Sequence, residues 1–243
     1  MHMPVAKLCG HMPVWIQLLS RFPLLQPLGP EALEPLSRAM NLREFARRGV
    51  VIAKENPLLD LGFLVEGRLQ GVDFTVDGRS VGLYFVDPGD YFGELPLVDG
   101  KPPAEHVVAM VKSTVAFLDA QAARTLILTS PALAQAVMSR LAQRVRSGLA
   151  QRTLLSLPNP FQRLCALLLQ LPAVSVNGVV TVEQAPTHQE LAIMINSSRE
   201  TVTRAFQVFF ANRILVRDGN ALRLEKADLL QDIAQGRADP PKA

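Results

Sequence analysis

Between Thr187 and Arg204 the chain gathers side chains suited to meeting a nucleic acid. Thr187-His188-Gln189-Glu190 has the form of a capping box: the Thr hydroxyl accepts from the Glu190 amide while the Glu carboxylate returns to the Thr amide. It starts a helix whose Leu191 and Ile195 face inward. Asn196 stands where the chain must turn sharply, a position open to residues that tolerate the left-handed conformation. Ser197 or Ser198 then caps a second helix. There Val202, Ala205, Phe206 and Phe209 fall at i, i+3, i+4 and i+7 and form a buried stripe, which places Arg199, Glu200, Thr203, Arg204 and Gln207 on the open side. From such a helix Arg can hold guanine with two hydrogen bonds and Glu can accept from the cytosine amino group. A solvated face with an ordinary Glu200–Arg204 ion pair is the alternative, since the two stand at i, i+4.

The surrounding elements must hold that pair of helices in place. Phe161–Leu171 is apolar at helical spacing (Leu164, Leu167, Leu168, Leu171), and a strand at Gly178–Val182 follows. After the two helices, Asp218-Gly219-Asn220 separates Leu215-Val216 from Leu222-Arg223-Leu224, a closing hairpin. Helix, helix–turn–helix and hairpin make a winged helix, assigned to 158–243. Ser130-Pro131 signals the start of a long helix, 130–157, ended by Pro158-Asn159-Pro160. Along it Leu133, Val137, Leu141, Val145 and Leu149 recur every four residues as one narrow apolar stripe, which is read as a seam for dimerisation. Its alternative role is packing on the same chain. Arg140, Arg144, Arg146 and Arg152 lie on this helix without an acid. From about Phe22 to Leu128, short β-branched runs (Val50–Ile52, Leu61–Val65, Leu69–Val76, Val81–Val86, Val107–Leu118) alternate with Gly- and Pro-bearing turns. They predict an all-β roll of hairpins at 22–129, with a short helix from Pro30 through Leu33, Leu36 and Met40 near its start and a tail at 1–21. The fold class is therefore α+β.

Length and composition agree with two folded units: 243 residues, 49% hydrophobic and 19% charged, with a net charge of +3. The mildly basic balance permits nucleic-acid binding. No stretch offers the roughly 18 or more apolar residues of a membrane span, and the N-terminus lacks a signal-peptide pattern, so a cytoplasmic location is expected. Two cysteines, Cys9 and Cys165, are too few and too far apart for a disulfide framework or a four-thiolate cluster. Cys9 and His11 alone are spaced to share a metal ion, and the sequence leaves their role open; no metal site is assigned. The predicted roll contains one histidine, His106, short of the clustered ligands a metal-dependent enzyme needs. Neither a nucleophile elbow nor a phosphate-binding loop appears, so no enzyme is expected. A protein-interaction module with a vestigial winged helix is the competing class.

Two motifs carry a resemblance. Gln189-Glu190-Leu191-Ala192 followed by Ser198-Arg199-Glu200-Thr201-Val202-Thr203-Arg204 resembles the helix–turn–helix of the cyclic-AMP receptor protein (Crp/Fnr) family, and Val86-Asp87-Pro88-Gly89-Asp90-Tyr91-Phe92-Gly93-Glu94-Leu95 resembles its β-roll signature. The order of roll, long helix and winged helix matches as well. The resemblance implies a cyclic-nucleotide-binding-type roll and a homodimeric transcription regulator that binds double-stranded DNA and works with RNA polymerase. It implies that Arg199, Glu200 and Arg204 read a palindromic TGTGA-like site, while Thr187, His188, Gln189, Ser197, Ser198 and Thr201 meet phosphates. Gly93, Glu94, Leu95, Lys101, Ala104 and Leu149 would form the effector pocket for a cyclic nucleotide or cyclic dinucleotide. The chain departs from the family where cyclic-AMP binders place an Arg-Ser or Arg-Ala pair on the phosphate: here stands Lys101-Pro102-Pro103-Ala104-Glu105, with no Arg, an added carboxylate and two missing amide donors. Gly148-Leu149 replaces the family's polar pair. The expectation is a roll that does not bind cyclic AMP in the usual way. Cyclic di-GMP, met by the helix arginines, is the alternative effector, and a roll serving only as a scaffold is another.

Overall fold

The computed structural model describes residues 7–8, 16–56, 60–176 and 179–241. His2, Cys9 and His11 lie outside them. In chain order the elements begin β1 (Lys7–Leu8), α1 (Ile16–Leu19), α2 (Pro30–Ala39), β2 (Asn41–Phe45), β3 (Val50–Ile52), β4 (Leu61–Glu66), β5 (Leu69–Phe74), β6 (Ser80–Val86), β7 (Tyr91–Phe92), α3 (Glu94–Asp99), β8 (His106–Ala109), β9 (Ser113–Leu118) and α4 (Ala120–Thr129). They continue α5 (Pro131–Ser156), α6 (Pro160–Gln170), β10 (Val174–Val176), β11 (Val179–Val182), α7 (His188–Met194), α8 (Arg199–Ala211), β12 (Leu215–Asp218), β13 (Ala221–Leu224) and α9 (Ala227–Ala234). Two compact units result, Met1–Asp77 with Leu83–Ser147, and Gly78–Gly82 with Gly148–Ala243.

The first unit is the jelly-roll-type roll, built of sheets ordered β1-β2-β9-β4-β7 and β3-β8-β5-β6. Strands β4 and β9 are buried on both faces, because Leu64, Val115 and Phe117 join one apolar cluster while Phe63, Ala116 and Leu118 join another with α1, α2, α4 and α5. Strict alternation is lost on strands covered from two sides, so Leu61–Val65 reads as a continuous apolar run. Gly62 on β4 makes room for Phe92, for a Cβ there would stand 2.4 Å from the ring. Gly62→Ala is expected to lower the stability of the roll by about 1–3 kcal/mol, measurable by urea unfolding followed by circular dichroism.

The roll is not made of strands alone, contrary to the hairpin reading. Gly93, at φ +88°, caps α3 with no space for a side chain, since a Cβ would come 2.8 Å from the Asp60 carbonyl oxygen. The helix ends at Gly100, also left-handed, so one of the Gly-bearing turns between the β runs is a helix C-cap. Asp119 caps α4 by accepting from the amides of Gln121 and Ala122. The Val107–Leu118 run divides into β8 and β9.

In the second unit the sheet order is β10-β11-β13-β12. Leu164, Leu167 and Leu168 of α6, Leu191 of α7 and Phe206 and Phe209 of α8 are all buried in its core. Phe161 meets Phe209 edge-on, with ring centroids 6.0 Å apart. β10 and the final helix α9 are additions to the expected plan, so the hairpin β12–β13 does not end the fold. Leu230 and Ile233 of α9 are fully buried and complete the core.

Candidate nucleic-acid interface and effector pocket

Both halves of the Thr187–Glu190 capping box form. The turn after α7 places Asn196 at φ +47°, the left-handed conformation that Asn tolerates and β-branched residues do not. Asn196→Val is accordingly expected to cost about 1–2 kcal/mol and Asn196→Gly little, as read from paired urea melts. Of the two candidate serines it is Ser198 that caps α8, accepting from the Thr201 amide at 3.1 Å. Val202, Ala205, Phe206 and Phe209 are 0 to 3% exposed, while Arg199, Glu200, Arg204 and Gln207 are exposed. Glu200 and Arg204 form no ion pair among the described residues. The Glu200 carboxyl is held below its ordinary range by backbone and Ser198 hydrogen bonds, with Arg199 and Arg204 adding to the effect, so it is a pure acceptor at neutral pH. This face therefore presents two guanidinium groups and one carboxylate, with no ion pair between them among the described residues, from the first two turns of a capped helix.

The residues expected to meet phosphates separate into two kinds. Gln189 is exposed and Ser197 half-buried. Thr187 accepts a backbone amide, and an accepting hydroxyl keeps its own proton to donate; Ser198 accepts the Thr201 amide and donates its proton to the Glu200 carboxylate, and Thr201 lies 3.1 Å from the Ser198 hydroxyl. His188 departs from the expectation. Its Nδ1 lies 2.9 Å from the Thr203 hydroxyl, its ring stacks on Phe206 with centroids 4.5 Å apart, and its Nε2 is buried without a partner among the described residues. A ring clamped between two helices is not available to a phosphate; it joins α7 to α8 instead. Burial, with Arg217 and Arg199 nearby, holds its pKa below 6.5. A depressed folded-state value favours the neutral ring, so its contribution is whole above pH 6.5 and is lost as pH falls through the lower folded value. His188→Gln is expected to flatten the acid-side loss of stability seen in the parent, measured by urea melts at a series of pH values below neutrality.

On the long helix the apolar stripe divides. Leu133 and Val137 are 1% and 3% exposed within their own chain's cluster, and Leu141 packs against it. Val137 is thus unavailable to a partner, which corrects the five-residue seam. The cause is geometric: each four-residue step turns about 40° around a helix of 3.6 residues per turn, so the stripe winds away from the roll. Val145 and Leu149 are 64% and 59% exposed, and Met138 is 56% exposed. Met138, Ala142, Val145 and Leu149, at i, i+4, i+7 and i+11, share one helical face. Met138 and Ala142 escaped the four-residue count; a seven-residue count from Val145 finds Met138.

In the roll, Gly93, Glu94, Leu95 and Ala104 come together with Ile52, Pro96, Pro103, Glu105 and Val107 around one small pocket. Lys101 is not in its lining. Nor are the helix arginines all unpaired, as the sequence suggested: Arg140 meets Asp90 at 2.5 Å and Arg144 meets Glu94 at 2.6 Å. The acids that serve them come from the roll, fifty positions upstream, where a count confined to the helix could not find them. Cys165 is fully buried, and burial pushes its thiol up to about 12. No group of side chains among the described residues is arranged to hold a metal ion, and no described helix is long and apolar enough to cross a membrane.

Residues 42–130 match the cyclic nucleotide-binding domain, and residues 162–233 match the Crp-like helix-turn-helix domain. The chain is 26% identical over 218 residues to a CRP-like cAMP-activated global transcriptional regulator of Mycobacterium tuberculosis, spanning 88% of this chain and 97% of that relative. Among solved structures it is similar to FixK2 of Bradyrhizobium japonicum, with a TM-score of 0.68 at 18% identity over 80% of this chain and 96% of the other. It is also similar to the c-di-GMP responsive global regulator CLP of Xanthomonas campestris, with a TM-score of 0.59 at 19% identity over 76% and 94% of the two chains.

Proposed function

Because the chain belongs to the Crp/Fnr family of transcriptional regulators, with a cyclic-nucleotide-binding-type domain and a Crp-like helix–turn–helix, we propose that it acts as a homodimer that reads a palindromic TGTGA-like site in double-stranded DNA and does so without cyclic AMP. The observation that carries this reading is the exposure of Arg199, Glu200 and Arg204 on α8, with no ion pair between them among the described residues. In this account Arg199 and Arg204 hold guanines, Glu200 accepts from a cytosine amino group, and Gln189, Ser197, Thr187, Ser198 and Thr201 fix the helix on the phosphates. Selection of bound duplexes from a random pool tests it: an enriched palindrome with half-sites one helical turn apart supports the reading, and a pool without a consensus refutes it.

Dimerisation is assigned to the exposed face of α5. Val145→Glu with Leu149→Glu is expected to leave a folded monomer that no longer prefers the palindrome over a single half-site; analytical ultracentrifugation and the same duplexes measure both. RNA polymerase is the proposed partner on DNA. As for the effector, Ala104 and Glu105 stand in the pocket where a phosphate-binding Arg would be needed, which supports a roll that does not take cyclic AMP in the usual way. A cyclic dinucleotide is not favoured, since Arg140 and Arg144 are already committed to Asp90 and Glu94.

A further inference from the structure

We propose that Gln151, in the last turns of α5, is a positioning residue for DNA recognition that fixes the turn between α7 and α8. The helix α5 enters the second unit at Gly148, and beyond that point Gln151 and Leu154, at i and i+3 on one helical face, are 8% and 2% exposed. An apolar side chain beside Leu154 would bury readily at such a place, whereas an amide withdrawn from water costs free energy unless it is hydrogen-bonded. The neighbouring hydroxyls of Thr153 and Ser156 stay with their own helix, donating to the carbonyls of Leu149 and Thr153. Gln151 reaches out instead. Its Nε2 donates to the Met194 carbonyl at 2.6 Å, 43 positions along the chain, and lies 3.4 Å from the carbonyl of Gly82, which belongs to the same unit.

The carbonyl it serves stands at the root of the recognition turn. A helix leaves its last four carbonyls without intrahelical amides, and the backbone after α7 satisfies three of them: Ile195 donates to Leu191, Ser197 to Ala192 and Asn196 to Ile193. The fourth, that of Met194, is the one Gln151 takes. Met194 is itself 5% exposed, so solvent is a poor substitute for the lost donor. Two residues on, Asn196 at φ +47° swings the chain and Ser198 starts α8, so the direction of α8 depends on where the peptide after Met194 is held. Hydrogen bonds to base edges require that direction, whereas attraction to phosphates carries no sequence information. This role deepens the reading of α8 as the DNA-contacting helix and rests on it for its consequence.

Full-length Gln151→Leu, which keeps a similar shape and removes the amide hydrogens, separates the outcomes through two readouts. Fluorescence anisotropy at one salt concentration is expected to show a fall of about tenfold in the preference for the palindrome over a scrambled duplex, the size of leaving one buried carbonyl unserved, with scrambled binding and the thermal midpoint held. Hydrogen exchange followed by mass spectrometry is expected to quicken across residues 194–198 and not in α6. Unchanged preference, unchanged exchange, or equal losses on both duplexes with a lowered midpoint, the mark of a merely structural residue, would each overturn the proposal. Should Gln151→Leu fail to fold, Gln151→Asn, polar but one methylene short of the carbonyl, carries the same two readouts. If the unaltered chain prefers no duplex, the DNA reading fails, and exchange across 194–198 alone decides the role of Gln151.

Discussion

Reversing Arg199 and Arg204 together to Glu is expected to remove the preference for a TGTGA-type duplex over a scrambled one. A well-made bidentate contact to guanine contributes about 1–3 kcal/mol of discrimination, and each substitution counts twice on a dimer reading two half-sites. Even one arginine changed to Ala is therefore expected to cost about 2–6 kcal/mol at the full site by that doubling, some thirty-fold or more in affinity. Glu in place of both adds repulsion from the phosphates. Fluorescence anisotropy on the two duplexes at one salt concentration measures the effect. Equal losses on both would assign the arginines to phosphates, and no loss on either would favour the interaction-module reading.

The second large effect is on stability. Phe209 is fully buried and packs against Phe161, so Phe209→Ala leaves a cavity in the core that holds α8. Such truncations cost about 3–5 kcal/mol, a large share of the roughly 5–15 kcal/mol that keeps a domain folded. The DNA-binding unit is expected to melt early. Urea unfolding of the isolated change against the parent, followed by circular dichroism, should show an earlier transition attributable to that unit, and an unchanged profile would contradict the packing described.

The recognition element was the most legible part of the sequence because its signals are local. A capping box, a turn residue of the right kind and a stripe at i, i+3, i+4 and i+7 all lie within about two dozen positions, and α7, Asn196, Ser198 and α8 follow from them. The roll was legible as strands, because Gly-bearing turns punctuate β-branched runs, but not as a mixture. α3 is six residues long, too short to show a helical period, and α4 carries an apolar pattern that runs on from β9. α9 was hidden by the hairpin before it, whose Asp-Gly turn made a natural end.

The pocket and the seam depended on partners distant in the chain. Arg144 and Glu94 are separated by 50 positions, and Tyr84 reaches Glu105 across 21. From sequence alone, a helix with four arginines and no acid looked like unspent positive charge. Its two inner arginines are spent on the roll. The departures at Ala104 and Glu105 were visible, but the Arg144–Glu94 pair beside Tyr84 was not, since nothing in a linear pattern says that an arginine far downstream stacks on a tyrosine. Likewise the four-residue stripe could not tell which of its members face their own roll. Burial divides it after Leu141, and the exposed face of Val145 and Leu149 continues through Met138.

The central claim is a family regulator that reads DNA without its family's nucleotide, and the most direct measurement is fluorescence anisotropy on a palindromic TGTGA-type duplex and a scrambled control at fixed salt. Each is titrated with no nucleotide, with cyclic AMP and with cyclic di-GMP. Tight, site-selective binding with no nucleotide present, and no shift when either is added, is the expected result. Binding that appears only with cyclic AMP would contradict it, and would mean that the phosphate finds a partner beside Glu105.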